Sequence, residues 1–354
     1  MITRSLSNGS TVVDWDVEVN EIDNQYGLFN GLGLFDSKGV ATETVLFDKN
    51  TITVTMIPQT SRRQGNKTYG KDRKLETFSL TLPFFEHGDA IFPADVQGWR
   101  KGGSPDQAED LPNVRMQKME DMRFNADQTN EYMKVNAIKG ITIDPEGNTL
   151  ANMFTEFDVT QKTIDFDLGT NATNIDLKIS ELKRYIAKNA KAGGALGTIE
   201  VACSPEFFDA LTTHPNMIAA YNYYQNSGPQ LNRDNLASYE KWGVVDSFRH
   251  KGMTFYSYDA VFTKPNGDSV RAFGTDVSAI TKQEGYSIVK GMRGLYRGWF
   301  GPANTLSGVN TVGSEMYLRE YRDPKDKFIE LELEMSPLFV LTKPQVSVKC
   351  STTT

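Results

Sequence analysis

The sequence predicts an α+β fold, and three observations carry that prediction. Alternating or β-branched runs recur at Thr51–Pro58, at Thr77–Pro83 and from Phe328 to Cys350. Two stretches, Glu109–Gly140 and Thr173–Lys191, instead repeat apolar residues every three or four positions. Strand-like and helix-like segments interleave without the regular βαβ spacing of a parallel α/β sheet.

Composition narrows the function classes. A chain of 354 residues suggests about two domains. It can bury roughly three quarters of its unfolded surface without disulfide staples. The balance of 38 basic against 45 acidic side chains, formally -7, argues against a protein that coats itself with nucleic acid. It still permits one that lies beside nucleic acid. Cys203 and Cys350 match no metal or redox spacing, so a reducing compartment is expected. The N-terminus lacks a signal-peptide core, and no run approaches the roughly 18 apolar residues of a membrane span. The sequons at Asn8, Asn66 and Asn171 carry no glycan in such a setting.

The first 45 residues are rich in Asn and Gly, with apolar residues such as Trp15, Leu28, Phe29, Leu34 and Phe35 in no single period. They read as an extended arm that packs on something else, or as an edge strand with a loop. The strands from Thr51 and near Thr77 flank "QTSRRQGNKTYGKDRK", where Arg62, Arg63, Lys67, Lys71, Arg73 and Lys74 face one acid, Asp72. Two strands around a basic, glycine-containing tip make a hairpin. Legs of about 10–15 residues project roughly 30–50 Å. Such a hairpin is marginal alone and is expected to lie on a partner.

Asp110 and Pro112 mark the start of a long helix and Gly140 its end. Met116, Met119, Met122, Ala126, Thr129, Met133 and Ala137 form one stripe along it. "GITIDPEGNTLANMF" reads as strand, turn, strand, and "FDVTQKTIDFDL" continues the strand pattern. A second amphipathic helix carries Ile175, Ile179, Leu182 and Ile186, with Gly193 and Gly194 as its stop. Further on come a strand at "GTIEVAC", a helix over Ser204–Gln225, strands at "MTFYSYDAVFT" and "SVRAFGT", and a terminal strand pair.

Enzyme motifs are weak. The three histidines, His87, His214 and His250, share no metal-ligand spacing, and HExxH, CxxC and G-x-S-x-G are absent from the sequence. "GLGLFD" and "KAGGALGTIE" lack the context of a phosphate loop. His87 and Asp89, two apart in "FFEHGDAIFPADVQGWR", could serve a triad only with a nucleophile from elsewhere. Gly88 and Pro93 suggest instead a turn, a corner between hairpin and long helix. No cofactor and no metal site is expected.

Several local texts, in their order along the chain, resemble a known family. They are "AIFPADVQGWR", "MKVNAIKGITIDPEGNTLANMF", "SPEFFDALTTHP", "GMTFYSYDAVF", "GPANTLSGVNTVGSEMYLREY" and "SPLFVLTKPQVSVKC". Together they resemble the lambda-type tailed-phage major capsid proteins, the phage capsid protein E family. The resemblance implies the Hong Kong 97-type fold. Its parts would be an N-terminal arm at residues 1–45 and an extended hairpin loop at 46–95. A peripheral domain with a spine helix would take 96–190 and return at 310–354, around an axial domain at 191–309. It implies a structural subunit, not an enzyme, that self-assembles into hexamers and pentamers of an icosahedral shell. The expected partners are itself, portal, scaffold and decoration proteins, and packaged double-stranded DNA bound without sequence preference, with no membrane. Assembly would occur in the host cytoplasm and the product would be the virion capsid. The basic hairpin tip is expected to face acids on a neighbour, such as Glu109, Asp110, Glu120 and Asp121. The alternatives are a cellular nanocompartment shell of the same fold, and a two-domain hydrolase using His87 and Asp89.

Overall fold

The computed structural model describes residues 3–5, 11–13, 26–51, 74–97, 110–190, 197–227, 243–274 and 283–352. Strands β1 (Thr3–Ser5) and β2 (Thr11–Val13) pair antiparallel. Helix α1 (Leu28–Leu32) closes on Gly33 at φ +57, a left-handed conformation that needs no Cβ. Strand β3 (Asp36–Gly39) follows.

β4 (Thr44–Thr51) and β5 (Lys74–Thr81) form an antiparallel ladder running from Thr44 opposite Thr81 to Thr51 opposite Lys74. The hairpin therefore starts at Thr44 rather than at Thr51. The expected strand beyond Thr51, and the tip with Arg62, Arg63, Lys67, Lys71 and Arg73, lie outside the described residues. β6 (Phe85–Ile91) corrects the expected turn at Gly88, since the strand runs straight through it. The reason is a distant partner. A strand from the C-terminal part of the chain pairs with β6 along its whole length, from Ile329 opposite Ile91 to Met335 opposite Phe85. The corner comes later, at the one-turn helix α2 (Pro93–Val96), where Asp95 Oδ2 accepts from Phe92 N at 2.9 Å.

The long helix α3 (Leu111–Ile138) starts and stops as expected. Asp110 Oδ1 accepts from Asn113 N at 2.9 Å. Gly140 takes φ +87, and its N–H donates to Ala137 O. The single stripe is only half right. Met122, Ala126, Met133 and Ala137 are buried, but Met116 is 62% exposed. From Asn130 to Ile138 the helix is buried almost all round, including Asn130, Glu131 and Asn136. Its first half lies on a sheet and its second half runs through the core.

β7 (Ile141–Ile143) and β8 (Thr149–Asn152) form the expected small hairpin, with Asp144 Oδ1 accepting from Gly147 N and Asn148 N at 2.8 Å. The second strand ends early, at α4 (Met153–Glu156), capped by Asn152, and of the strand pattern expected over 157–168 only β9 (Thr163–Asp165) forms. In α5 (Ile175–Asn189), Ile175, Ile179, Leu182 and Ile186 are fully buried. This helix ends at Asn189, ahead of the glycines expected to stop it, which lie outside the described residues.

β10 (Ile199–Cys203) leads into two helices where one was expected, α6 (Pro205–Thr213) and α7 (Pro215–Ser227). The break is at His214, whose backbone is extended at ψ 134. The Pro215 ring disfavours the α conformation in the residue before it. Five strands follow: β11 (Val244–His250), β12 (Met253–Tyr258), β13 (Val261–Thr263), β14 (Ser269–Arg271) and β15 (Glu284–Val289). The last are β16 (Tyr296–Phe300), β17 (Tyr317–Arg322), β18 (Ile329–Met335), β19 (Pro337–Leu341) and β20 (Lys349–Ser351).

The main core joins a six-stranded sheet, ordered β11-β12-β10-β15-β20-β9, to α5, α6 and the buried end of α3. Two smaller sheets, β19-β16-β3 and β17-β18-β6, carry the arm-side and hairpin-side segments. The expected terminal strand pair is thus two strands in different sheets, because β18 pairs with β17 and β6 while β19 pairs with β16.

Candidate inter-subunit surfaces

The segment at the end of the expected arm is finished within the chain. The Glu131 carboxylate, buried inside α3, accepts from Phe29 N at 2.8 Å and Asn30 N at 2.7 Å, the first turn of α1. It also accepts from Tyr258 Oη at 2.9 Å. Burial raises its pKa above the ordinary carboxyl value, against the opposing pull of these donors. Around it, Gln128 Nε2 donates to Tyr26 O at 3.0 Å and Asn30 Nδ2 to Asp127 O at 3.1 Å. Lys134 Nζ donates to Asn30 Oδ1 at 2.6 Å. Leu28 and Phe29 are buried in the main core, Phe29 edge-on to Tyr258 at 5.7 Å. β3 then adds to β16 in parallel, Asp36 opposite Arg297. The expectation that Leu28 and Phe29 need cover from another molecule is corrected, because α3, Tyr258 of β12 and Phe273 pack around them within the chain.

The hairpin has two unlike faces. Val45, Phe47 and Phe78 point inward, with Phe47 stacked on Phe78 at 5.1 Å and edge-on to Trp299 at 5.0 Å. On that face Lys49 pairs with Glu76 at 3.0 Å. The opposite face carries Leu46 and Leu75, 71% and 62% exposed. The backbone of Lys74, the described member of the basic tip, sits opposite Thr51 at the end of the ladder.

His87 and Asp89 lie on the face of β6 that meets α3, since they oppose Leu333 and Leu331. Asp89 Oδ1 accepts from Lys118 Nζ at 3.0 Å, and the same ammonium donates to Ala90 O at 2.9 Å. Asp89 is therefore committed to fastening β6 onto α3. His87 borders a groove of about 810 Å³ of mixed lining, with Phe85, Met122, Phe124 and Leu333 beside Glu86 and Asn125. Of the acids expected to meet the hairpin tip, Asp110 is the cap of α3, and Glu120 and Asp121 are exposed along its first half. Glu109 lies outside the described residues.

The other face of the same sheet was not foreseen. Alternation in "IELELEM" puts Glu330, Glu332 and Glu334 on one side of β18. Glu86 stands directly opposite Glu334 on β6, and Arg319 opposite Glu332 on β17. Arg319 Nη1 donates to Glu334 Oε2 at 2.8 Å, and Asn304 N donates to the same oxygen at 3.2 Å. Among the described residues, the strands of this face carry four carboxylates, Glu86, Glu330, Glu332 and Glu334, and one guanidinium, Arg319. The run of alternating Glu was visible in the sequence, but the Glu86 partner was not.

The comparisons agree with this architecture. The family model for phage major capsid protein E matches residues 11–352. The major capsid protein of Pseudomonas phage KPP10 is 31% identical over 98% of this chain and 97% of its own length. That of Salmonella phage Felix O1 is 27% identical over 98% of both chains. Among solved structures, the capsid asymmetric unit of Cyanophage Pam1 superposes with a TM-score of 0.56 over 99% of both chains at 11% identity, a likeness of fold alone. With a family match from end to end, a whole-length relative at 31% and the Hong Kong 97-type fold beneath them, this chain belongs to the phage major capsid protein E family and its role is that of a structural capsid subunit.

Proposed function

We propose that the chain assembles with copies of itself into hexamers and pentamers of an icosahedral shell that encloses double-stranded DNA. The observation that carries this reading is the outer face of the hairpin, where Leu46 and Leu75 stand in solvent on a ladder whose inner face is anchored on Trp299. A large apolar side chain left out by its own chain finds burial on the next copy. Contact of hairpin on body is heterologous, and such contacts close into rings. Permanent interfaces of this kind commonly exceed about 2,000 Å². In this reading residues 96–190 with 310–354 are the peripheral domain, and 191–309 the axial domain. The subunit catalyses nothing. It is assembled in the host cytoplasm with portal, scaffold and decoration proteins, and its net negative charge keeps the wall from gripping the genome.

The basic tip meets an acidic surface of the neighbour, for which the start of α3 with Asp110, Glu120 and Asp121 and the acidic sheet face are the two candidates. Negative-stain imaging of the purified, concentrated protein tests the shell itself. Closed particles are expected, and a field of dispersed single subunits at every concentration would overturn the reading.

A further inference from the structure

We propose that Asn266 is a site of spontaneous modification, where the backbone nitrogen of Gly267 attacks the Asn266 side chain and converts it to aspartate and isoaspartate. An Asn followed by Gly reacts most readily, because Gly has no side chain to crowd the approach. The sequence holds three such pairs, Asn8–Gly9, Asn30–Gly31 and Asn266–Gly267. Asn8 lies outside the described residues, and the structure separates the other two. In the step, the Gly267 nitrogen forms a bond to Cγ of Asn266. Its proton goes to the side-chain amide nitrogen, which leaves as ammonia. Water then opens the five-membered imide at either carbonyl.

Asn266 sits at the tip of the β13–β14 hairpin. Lys264 N donates to Asp268 O at 2.8 Å and Gly267 N to Lys264 O at 2.9 Å, a tight turn with Pro265 and Asn266 at its centre. Gly267 follows at φ +87 with open space around it. Every residue from Pro265 to Ser269 is exposed. The Asn266 side chain is folded forward over the next peptide. Its Oδ1 accepts from Asp268 N at 3.0 Å, and its Nδ2 donates to Asp268 Oδ2 at 2.7 Å. The carboxamide therefore lies along the backbone that attacks it. What has to open is the exposed hydrogen bond from Gly267 N to Lys264 O, at a loop tip where opening is cheap.

Asn30 has the same following residue and the opposite setting. It lies in α1, where Gly31 N donates to Gly27 O at 2.8 Å. Its side chain is held at both ends, by Lys134 Nζ at 2.6 Å and by Asp127 O at 3.1 Å. Attack there requires α1 to come off α3 first. The β7–β8 hairpin is a natural control. It makes the same turn, with Gly147 N donating to Asp144 O and Asp144 N to Asn148 O, both at 3.0 Å, but Glu146 stands where the other turn has Asn266. That carboxylate has no amide nitrogen to expel. Conversion at Asn266 removes an amide donor and sets a second carboxylate against Asp268, so the tip loses its Asn266–Asp268 bond as the protein ages.

The test ages the full chain at mildly alkaline pH, folded and in urea, and follows the peptides holding Asn30 and Asn266 by mass and by isoaspartate content. In urea the two should convert at similar rates, because only the local sequence then matters. In the folded subunit Asn266 should convert at least about tenfold faster than Asn30, whose helix has to open first. Asn266→Gln should abolish the product in its own peptide, because the longer side chain closes a larger ring far more slowly, and should leave the Asn30 rate unchanged. Equal rates at Asn30 and Asn266 in the folded subunit would overturn the proposal. So would an Asn266 peptide that stays unconverted in the folded protein, whatever it does in urea.

Discussion

Phe29 is 1% exposed, while Leu46, a short way along the same chain, is 71% exposed. Both come from the stretch that by pattern alone looked like extensions in need of a partner. The first extension is completed by its own subunit, through a buried carboxylate on α3, a tyrosine on β12 and a parallel strand pairing on β16. The second is completed only on its inner face. Burying a side chain of this size contributes about 1.5–3 kcal/mol. The chain has taken that gain at Phe29 and left it untaken at Leu46 and Leu75. Between these two regions, incompleteness belongs to the hairpin and not to the segment from Tyr26 to Gly39.

The sharpest way to break the comparison is Phe29→Ala. Truncation in the core should destabilise the isolated subunit by about 3–5 kcal/mol in denaturant melts. A loss near that of a surface change would mean that α1 is not docked in solution. Glu131→Gln should follow at about 1–3 kcal/mol, because the amide can accept on one side only and turns an N–H toward an N–H. The pH profile sharpens this. The folded pKa of Glu131 is raised, so the cost of its charge is absent below the ordinary carboxyl range and complete above the raised value. Subunit stability should fall as pH rises through that window, and Glu131→Gln should remove that part of the slope.

Along α3 the same contrast appears at smaller scale. Met122→Ala should cost about 2–5 kcal/mol, and Met116→Ala, on the solvent side of the same first half, about 0.5 kcal/mol or less. Equal losses would contradict the assignment of Met122 to the sheet-facing side of this half and Met116 to solvent. Smallest of all is the expected effect of Leu46→Ser with Leu75→Ser on the isolated subunit, within about 0.5 kcal/mol. The same pair should lower shell yield strongly when assembly is followed by light scattering.

Where local chemistry decides, the elements were legible in advance. Asp110 and Gly140 bound α3, and the stripe from Ile175 to Ile186 defined α5. The break at His214–Pro215 was also legible, since the restriction lies in the neighbouring residue, but the apolar run on both sides masked it. Where a distant partner decides, the reading went astray. Gly88 looks like a turn until β18 arrives to pair with the strand, and Leu28 and Phe29 look uncovered until Glu131 and Tyr258 close over them. The candidate surfaces divide in the same way. Alternation in β18 announces an acidic face, but only the fold sets Glu86 against Glu334 and makes that face a conflict.

Hydrogen exchange measured on the dispersed subunit and on assembled particles tests the central claim most directly. Amides of residues 44–51 and 74–81 should slow by about tenfold or more on assembly, an opening cost higher by about 1.4 kcal/mol, while those of 28–39 stay unchanged. Slowing at 28–39 with no change in the hairpin would contradict the account, as would a hairpin already fully protected in the single subunit.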